Sequence, residues 1–550
     1  MRRGKLSNIF NAGGIEIAVV ILYMVLFIIV SFFHEPWFDE AQAWEIGKTA
    51  TYREIMTVLP HTEGHPPLWS LILSVPAKLG VPYLIGLKGI SLIFSVLTVL
   101  LIVFKSPFPK VIRYILPFTY FFFYQYGVIS RTYCVLELSC VLIAMSFKNR
   151  KTKPCRFAGG LYLLCLTSIY GILIAGGISI CWLLDIIAEY RSNRFRDIHK
   201  DIRLYALLVL LVAVLPVVYL IIPFSDVYAL GNVSNNYLIR KLLYFIFVLP
   251  GDTFISVTGL PTWETMGIVD TIPGLITTLF ILGIIILISK RRDIKYYIVP
   301  YLFYILFMCF YGSGNHTGIG MIWLCSYIWA VYDISFISDR CLKIKNVMFS
   351  RLGEKDIALI VCAFKVLPIV IVAFSAGYCM KICIDDVRLP YSESKAIADF
   401  IKEHNMENAA IMISWDMRSD APDNVMMDYD YLESENTLDA VAILPYFDDN
   451  IFFNHNARDH RKGYASHLCS SKEENLEAYR LWHACGIPEV LVGTPALKLV
   501  YDDEISLGDY VDVAEMKGYY MGKNKTATFS RQIYVRKDCL KKFGIDGYDI

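Results

Sequence analysis

Residues 35–44 read EPWFDEAQAW and place two carboxylates, Asp39 and Glu40, directly after a long apolar run. A second polar element, His65-Pro66-Pro67-Leu68, follows downstream and opens another apolar segment. Charge at the mouth of a hydrophobic segment is costly, so ionisable residues at this depth are candidates for function. An alternative interpretation is purely structural, because an aspartate at the start of a helix can cap its free N–H groups.

The composition is typical of a polytopic membrane protein. Hydrophobic residues make up 56% of the 550 positions, and the net charge of +1 gives no electrostatic basis for binding nucleic acid. The 14 cysteines are scattered without metal-ligand spacing, so we interpret them as small buried residues. The pair Cys379 and Cys383 has helical spacing, which leaves a disulfide open. The first apolar run is too long for the core of a signal peptide and is interpreted as a retained helix.

The distribution of basic residues predicts the orientation. Three of the first five residues are basic, which indicates a cytoplasmic N-terminus. A first span over Gly14–Phe33 then delivers Asp39 and Glu40 to the outer side. The segment Pro67–Lys78 is too short to span, and counting it as a span would put the next basic residues outside. We therefore predict an outer loop over residues 34–82 that contains juxtamembrane helices.

The same rules predict about eleven transmembrane helices in residues 1–380, with every basic loop cytoplasmic. After the first, the spans are predicted at Val81–Phe104, Val111–Val128, Thr132–Phe147, a hairpin within Phe157–Glu189, Leu204–Ile222, Ile272–Ile288, Tyr297–Tyr311, Met321–Ile337 and Ile357–Met380. The apolar piece Leu242–Val257 is predicted to be interfacial or re-entrant, because a span there would reverse every later loop.

From Lys381 onward the charge is dense and the apolar runs are short. An amphipathic helix is predicted at Ser394–His404, and strands at Ala409–Ile413, Ala440–Leu444, Glu489–Val492 and Gln532–Val535. Helices alternating with strands predict an extracytoplasmic α/β domain over residues 381–550, on the same side as Asp39.

Several motifs of residues 1–380, taken in order, resemble the GT-C glycosyltransferases. The acidic pair after the first span and the later His65-Pro66-Pro67-Leu68 are similar to those of members that use polyprenyl-phosphate sugars, such as protein mannosyltransferases and aminoarabinose transferases. Arg131-Thr132-Tyr133 fits their Arg-x-Tyr element. Residues 311–318, YGSGNHTG, resemble a late Gly/Arg-His-x-Gly segment, with Asn315 where that pattern has arginine.

The resemblance implies an enzyme that moves a sugar from a polyprenyl-phosphate carrier to an extracytoplasmic acceptor: a cell-envelope glycan, a lipid or a protein. Asp39 matches the catalytic residue and is our candidate base. Arg131 is the candidate phosphate ligand, because guanidinium suits phosphate geometry and keeps its charge in apolar surroundings. The alternative for Arg131 is a side chain that snorkels to the interface.

Further substrate- or phosphate-binding candidates are Glu40, His65, Tyr133 and His316, although Tyr and His at this depth are also ordinary interfacial residues. The acidic loop would permit a divalent cation, yet the donors of the group do not call for one, so no metal and no cofactor is predicted. The protein is predicted to be multi-pass in the plasma membrane.

Two other functions stay open. A lipid-linked-sugar transporter or flippase should carry internal repeats and charged or broken helices at the bilayer midplane, and the sequence shows neither clearly. A catalytically inactive scaffold with the same fold is the third hypothesis.

Overall fold

The computed structural model describes residues 3–191, 197–223, 237–255, 267–312, 314–349, 354–415, 438–465, 472–521 and 526–545. Most of this chain is helical. The helices of the first half are α1 (Arg3–Phe33), α2 (Phe38–Thr49), α3 (Tyr52–Thr57), α4 (Leu59–Glu63), α5 (Leu68–Lys78), α6 (Tyr83–Lys105), α7 (Lys110–Ile115), α8 (Tyr133–Phe147), α9 (Pro154–Cys165), α10 (Ile169–Arg191), α11 (Ile202–Leu220), α12 (Leu238–Phe247) and α13 (Leu249–Ile255).

The second half continues with α14 (Ile268–Ile288), α15 (Lys295–Phe310), α16 (Thr317–Val331), α17 (Ile334–Phe349), α18 (Glu354–Arg388), α19 (Ser394–Glu403), α20 (Leu438–Ile443), α21 (Lys472–Ala484) and α22 (Leu497–Tyr501). Four strands accompany these helices: β1 (Ile411–Ile413), β2 (Val490–Val492), β3 (Tyr510–Met521) and β4 (Thr526–Arg536).

Among the described residues, six helices are long and apolar enough to cross a bilayer: α1, α6, α10, α11, α14 and α18. The number rises to seven if α16 and α17, which meet at a bend of 88°, count as one span. Helices α5, α8 and α15 are apolar but shorter. The prediction of a polytopic α-helical membrane protein is confirmed at this level, whereas the count of eleven is not. The segment predicted to be too short to span forms α5, and its juxtamembrane position stays a prediction.

The span predicted at Val111–Val128 is wrong as a single helix. After α7, the chain forms a short 3-10 turn at Leu116–Phe118 and then a π-helix over Tyr120–Val128, all of whose residues are buried. Pro117 explains the break, because it has no N–H to donate and its ring obstructs the preceding turn.

The span predicted at Met321–Ile337 is also wrong as a straight helix, since α16 ends at Val331 and α17 starts at Ile334. Asp333 lies at the bend and accepts hydrogen bonds from the Ser335 hydroxyl at 2.7 Å and the Phe336 N–H at 3.4 Å. A carboxylate that caps new N–H groups favours the start of a second helix.

The region Leu242–Val257 forms the two short helices α12 and α13, and its last two residues lie outside the described ranges. Neither helix is long enough to cross a bilayer. Gly251 of α13 lies against α14, where its N–H donates to the Thr278 hydroxyl at 2.9 Å. The prediction that this region is not an ordinary span agrees with that geometry.

The C-terminal region contains a sheet of order β1-β2-β4-β3, in which β1 and β2 are parallel and the remaining pairs antiparallel. Helix α19 and strands β1, β2 and β4 agree with the sequence prediction. The strand predicted at Ala440–Leu444 is wrong, because α20 occupies its first four residues and a 3-10 turn begins at Leu444. A five-residue apolar run does not distinguish strand from helix. Alternate residues of the strands pack on opposite faces, Ile411 and Ile413 with α19 and Met412 with Trp482 of α21.

The same region packs on the first loop. Gln42 of α2 exchanges two 2.9 Å hydrogen bonds with the backbone of Ala465. Lys48 donates to the Phe447 carbonyl at 2.9 Å. Residues that follow the last membrane helix therefore lie directly beside α2, the helix that carries Asp39. The division at residues 380 and 381 stays a prediction, and α18 runs past it to Arg388.

Candidate active site

The site begins with an ion pair between Asp39 and Arg131. Asp39 lies in the first turn of α2, where a carboxylate faces the positive end of the helix dipole. Arg131 lies in the turn between the π-helix and α8, and its Nη1 contacts the Asp39 carboxylate. The Asp39 side chain is 27% exposed and that of Arg131 19%, so the pair is accessible from solvent.

Helix capping does not account for Asp39. The N-terminal cap of α2 is Trp37, and the carboxylate that receives the Trp37 N–H, at 3.4 Å, belongs to Glu40. Asp39 instead contacts Arg131. The interpretation of Asp39 as a helix cap is therefore wrong.

Aromatic and imidazole rings line the site beyond Arg131. The guanidinium lies 5.9 Å from the centre of the Tyr133 ring, a cation–π distance, and the Tyr133 ring lies 6.2 Å from that of His316. Both Arg131 and His65 are close enough to His316 to act on it electrostatically. The residues selected from the sequence therefore form a series of neighbours that starts at Asp39: Arg131 contacts Asp39, Tyr133 lies beside Arg131, and His316 lies between Tyr133 and His65.

His316 is held in place by its neighbours. The Tyr170 hydroxyl lies 3.1 Å from His316 Nδ1 and donates to the carbonyl of Tyr311. Asn315, which stands where the family pattern has arginine, accepts the Tyr126 hydroxyl on its carbonyl at 2.7 Å. The segment that precedes α16 is therefore fixed to the π-helix and to α10.

Glu40 lies behind this open cluster rather than in it. Its side chain is completely buried, and its two oxygens contact Lys88 Nζ at 2.7 Å, the Ser130 N–H at 2.7 Å and His34 Nε2 at 3.0 Å. Burial raises the pKa of Glu40, but Lys88 and His34 more than offset this and bring it to about 2. Glu40 is therefore a permanent anion with its acceptors already engaged.

His34 extends the buried set to the last membrane helix, because its Nδ1 lies 2.8 Å from the Asp386 carboxylate of α18. Burial and Lys88 lower the pKa of His34, whereas the carboxylates of Asp386 and Glu40 raise it by more. The pKa of His34 therefore lies above its usual value. A ring with a carboxylate at each nitrogen is best satisfied as an imidazolium, which donates from both.

Three buried residues beside the site were not predicted from the sequence: His34, Lys88 and Asp386. A signal for Lys88 was present, since it is an ionisable residue inside a membrane helix and such residues are functional candidates by default. Its partner could not be read from the sequence.

Within the described ranges, no group of three or more His, Cys, Asp or Glu side chains is arranged to hold a metal ion. Cys379 and Cys383 are free thiols, with sulfur atoms 4.0 Å apart.

Comparison with known proteins gives a similarity in structure but none in sequence. No family model matches the chain, and no curated protein matches it. A solved structure, ArnT from Cupriavidus metallidurans bound to undecaprenyl phosphate, aligns with 95% of this chain and 98% of its own, at 12% identity and a TM-score of 0.47. At that identity and score the similarity supports no conclusion about activity.

Proposed function

We propose that this protein is a membrane glycosyltransferase that moves a sugar from a polyprenyl-phosphate carrier to an extracytoplasmic acceptor. The accessible Asp39–Arg131 pair, lined by Tyr133 and His316 at the ends of apolar helices, is the observation that carries the proposal. A carboxylate that can take a proton and a guanidinium that can bind a phosphate are the two groups that this reaction needs.

The reaction assigns one step to each group. The acceptor hydroxyl loses its proton to Asp39, and its oxygen forms a bond to the anomeric carbon. The bond from that carbon to the phosphate oxygen breaks, and the phosphate leaves with the electron pair and is stabilised by Arg131. We assign His65, His316 and Tyr133 to contacts with sugar hydroxyls or phosphate oxygens.

The resting ion pair gives an order to these events. An arriving phosphate competes with the Asp39 carboxylate for the Arg131 guanidinium. Both groups are anions, and the planar guanidinium can bind either one through two N–H groups. Once Arg131 turns to the phosphate, Asp39 is released to accept the proton. Donor binding thus prepares the base.

We place residues 381–550 outside the cytoplasm, together with Asp39, in a plasma-membrane protein whose N-terminus is cytoplasmic. The contacts of Gln42 and Lys48 with residues 447 and 465 support a shared side. A covering position over α2 suits a domain that recognises the acceptor or excludes water.

The test is a transfer assay in nanodiscs with labelled polyprenyl-phosphate sugars. We expect Asp39→Asn to lose at least about 100-fold in rate, the usual contribution of a general base. Glu45→Gln is the matched control, because Glu45 is a carboxylate on the same helix that is buried away from the Asp39–Arg131 pair.

Undiminished transfer by Asp39→Asn contradicts the assignment of the base. Movement of the labelled carrier across the membrane without transfer supports the transporter hypothesis instead, and binding without either activity supports an inactive scaffold.

A further inference from the structure

We infer that Glu40 is a positioning residue that holds the turn carrying Arg131 opposite Asp39, with Lys88, His34 and Asp386 maintaining its charge. The inference deepens the proposed function and rests on it for the role of Arg131. Its experiment is therefore designed so that the two can fail separately.

Glu40 joins three separate elements of the fold. Its Oε1 accepts from Lys88 of α6 at 2.7 Å and from the Ser130 N–H at 2.7 Å, while its Oε2 faces His34 at the end of α1, 3.0 Å away. Arg131 is the next residue after Ser130, so its Cα lies about 3.8 Å from that of Ser130. A fixed Ser130 therefore limits where the guanidinium can reach.

The backbone on the other side of the turn is held by α6. The carbonyls at the end of a helix lack helical partners, and those at the end of the π-helix are taken by α6. Lys88 Nζ donates to the Val128 carbonyl at 2.7 Å, and the Ser91 hydroxyl to the Gly127 carbonyl at 2.6 Å. Lys88 thus contacts both the Val128 end of the turn and Glu40, the carboxylate that holds the Ser130 end.

The charges around Glu40 balance. The set contains two anions, Glu40 and Asp386, and two cations, Lys88 and the imidazolium of His34. The side chains of His34, Glu40 and Asp386 are fully closed to solvent and that of Lys88 is 8% exposed. Buried ions persist only when they are paired, so the four form one unit. Asp386 brings α18 into that unit and thereby ties the last membrane helix to α2.

The first experiment needs no enzymatic activity. Hydrogen–deuterium exchange of the Ser130 amide is followed in the full-length protein in nanodiscs. Glu40→Met/Lys88→Met removes the acceptor and both charges at similar volume, and Glu40→Gln keeps one acceptor oxygen. We expect exchange at Ser130 to rise about tenfold in the double variant and less in Glu40→Gln. Glu45→Gln, a buried carboxylate on the same helix, should leave it unchanged.

Unchanged exchange at Ser130 in the double variant overturns the inference. Exchange that rises equally throughout the chain also overturns it, because Glu40 would then support the whole fold rather than this turn.

The second experiment measures the affinity for a polyprenyl phosphate in a double-mutant cycle. If Glu40 acts through Arg131, Glu40→Gln should weaken binding about tenfold in the wild-type background and less than about twofold in the Arg131→Gln background. A merely structural contribution would persist in both backgrounds, so additive losses contradict the inference. If the wild type does not bind the probe, the proposed function fails, and amide exchange alone decides the role of Glu40.

Discussion

Asp39 and Glu40 are adjacent on α2 and occupy opposite electrostatic environments. Asp39 meets Arg131 at a pair that is 27% and 19% exposed, whereas Glu40 meets Lys88 at a pair that is 0% and 8% exposed. The open pair can exchange its partner for a substrate, and the closed pair cannot. Of two neighbouring carboxylates with the same charge, Asp39 is thus suited to catalysis and Glu40 to holding the fold.

The largest expected effect is on stability, in the closed pair. Lys88→Met leaves Glu40 buried beside His34 without its second cation and should lower the free energy of unfolding by about 3–5 kcal/mol. Denaturant unfolding in detergent measures it. Arg131→Gln, in the open pair, should cost no more than about 1 kcal/mol.

A second change separates the charge from the packing. Adding Glu40→Met to Lys88→Met removes the stranded anion and should restore most of the lost stability. Equal losses for Lys88→Met and Arg131→Gln would refute the distinction between a closed and an open pair.

The next effect is on binding, in the open pair. Arg131→Gln should weaken the affinity for a polyprenyl phosphate by about 1.5–3 kcal/mol, the contribution of a charge-assisted hydrogen bond. Arg131→Lys should keep only part of the wild-type affinity, because an ammonium lacks the planar arrangement of N–H donors that guanidinium has. Calorimetry in nanodiscs checks both variants, with Arg458→Gln as a control at an exposed arginine of the C-terminal region. Full affinity in Arg131→Gln would remove the phosphate ligand from the proposal.

Glu45 extends the comparison to a third carboxylate of α2, buried with its nearest cation, Lys48, 3.9 Å away. Burial raises the pKa of Glu45 to about 7, and Lys48 offsets only part of that rise. Between the unfolded value of 4.5 and pH 7 the native state binds more protons. The contribution of Glu45 to stability therefore falls as the pH rises through this window and is constant above it.

Glu45→Gln should abolish that fall. Between pH 4 and pH 8, the free energy of unfolding of the variant should therefore rise by about 1–3 kcal/mol relative to that of the wild type. Unfolding midpoints of both proteins across this range provide the measurement. Parallel curves would show that Glu45 has the same pKa in the native and unfolded states and would contradict the prediction.

The smallest effect is expected at the surface contact between the C-terminal region and α3. Lys462 Nζ lies 3.1 Å from Glu54, with the two side chains 35% and 26% exposed. Lys462→Gln should therefore lower stability by less than about 1 kcal/mol, and added salt should reduce the difference further. A larger loss would mean that this exposed pair behaves like a closed one.

The sequence was informative where one residue or one local run decides the outcome. Long apolar helices appeared where hydropathy placed them. Asp39 and Arg131, which separate motifs singled out, lie in contact, while their roles stay a prediction. Hydropathy did not reveal the break at Pro117 or the bend at Asp333, since both regions stay apolar. The contact between Glu40 and Lys88 could not be read either, because no periodicity relates residues 48 positions apart in the chain.

The π-helix at Tyr120–Val128 constrains the length of the chain as well as its composition. A π-helix carries more residues per turn than an α-helix. Deleting one residue while this winding is kept would rotate everything beyond it around the helix axis by the turn of one residue. Ser130 and Arg131 would then no longer face α2 as they do. Substitutions within these nine residues leave the register intact, so this segment should tolerate a change of side chain far better than an insertion or a deletion.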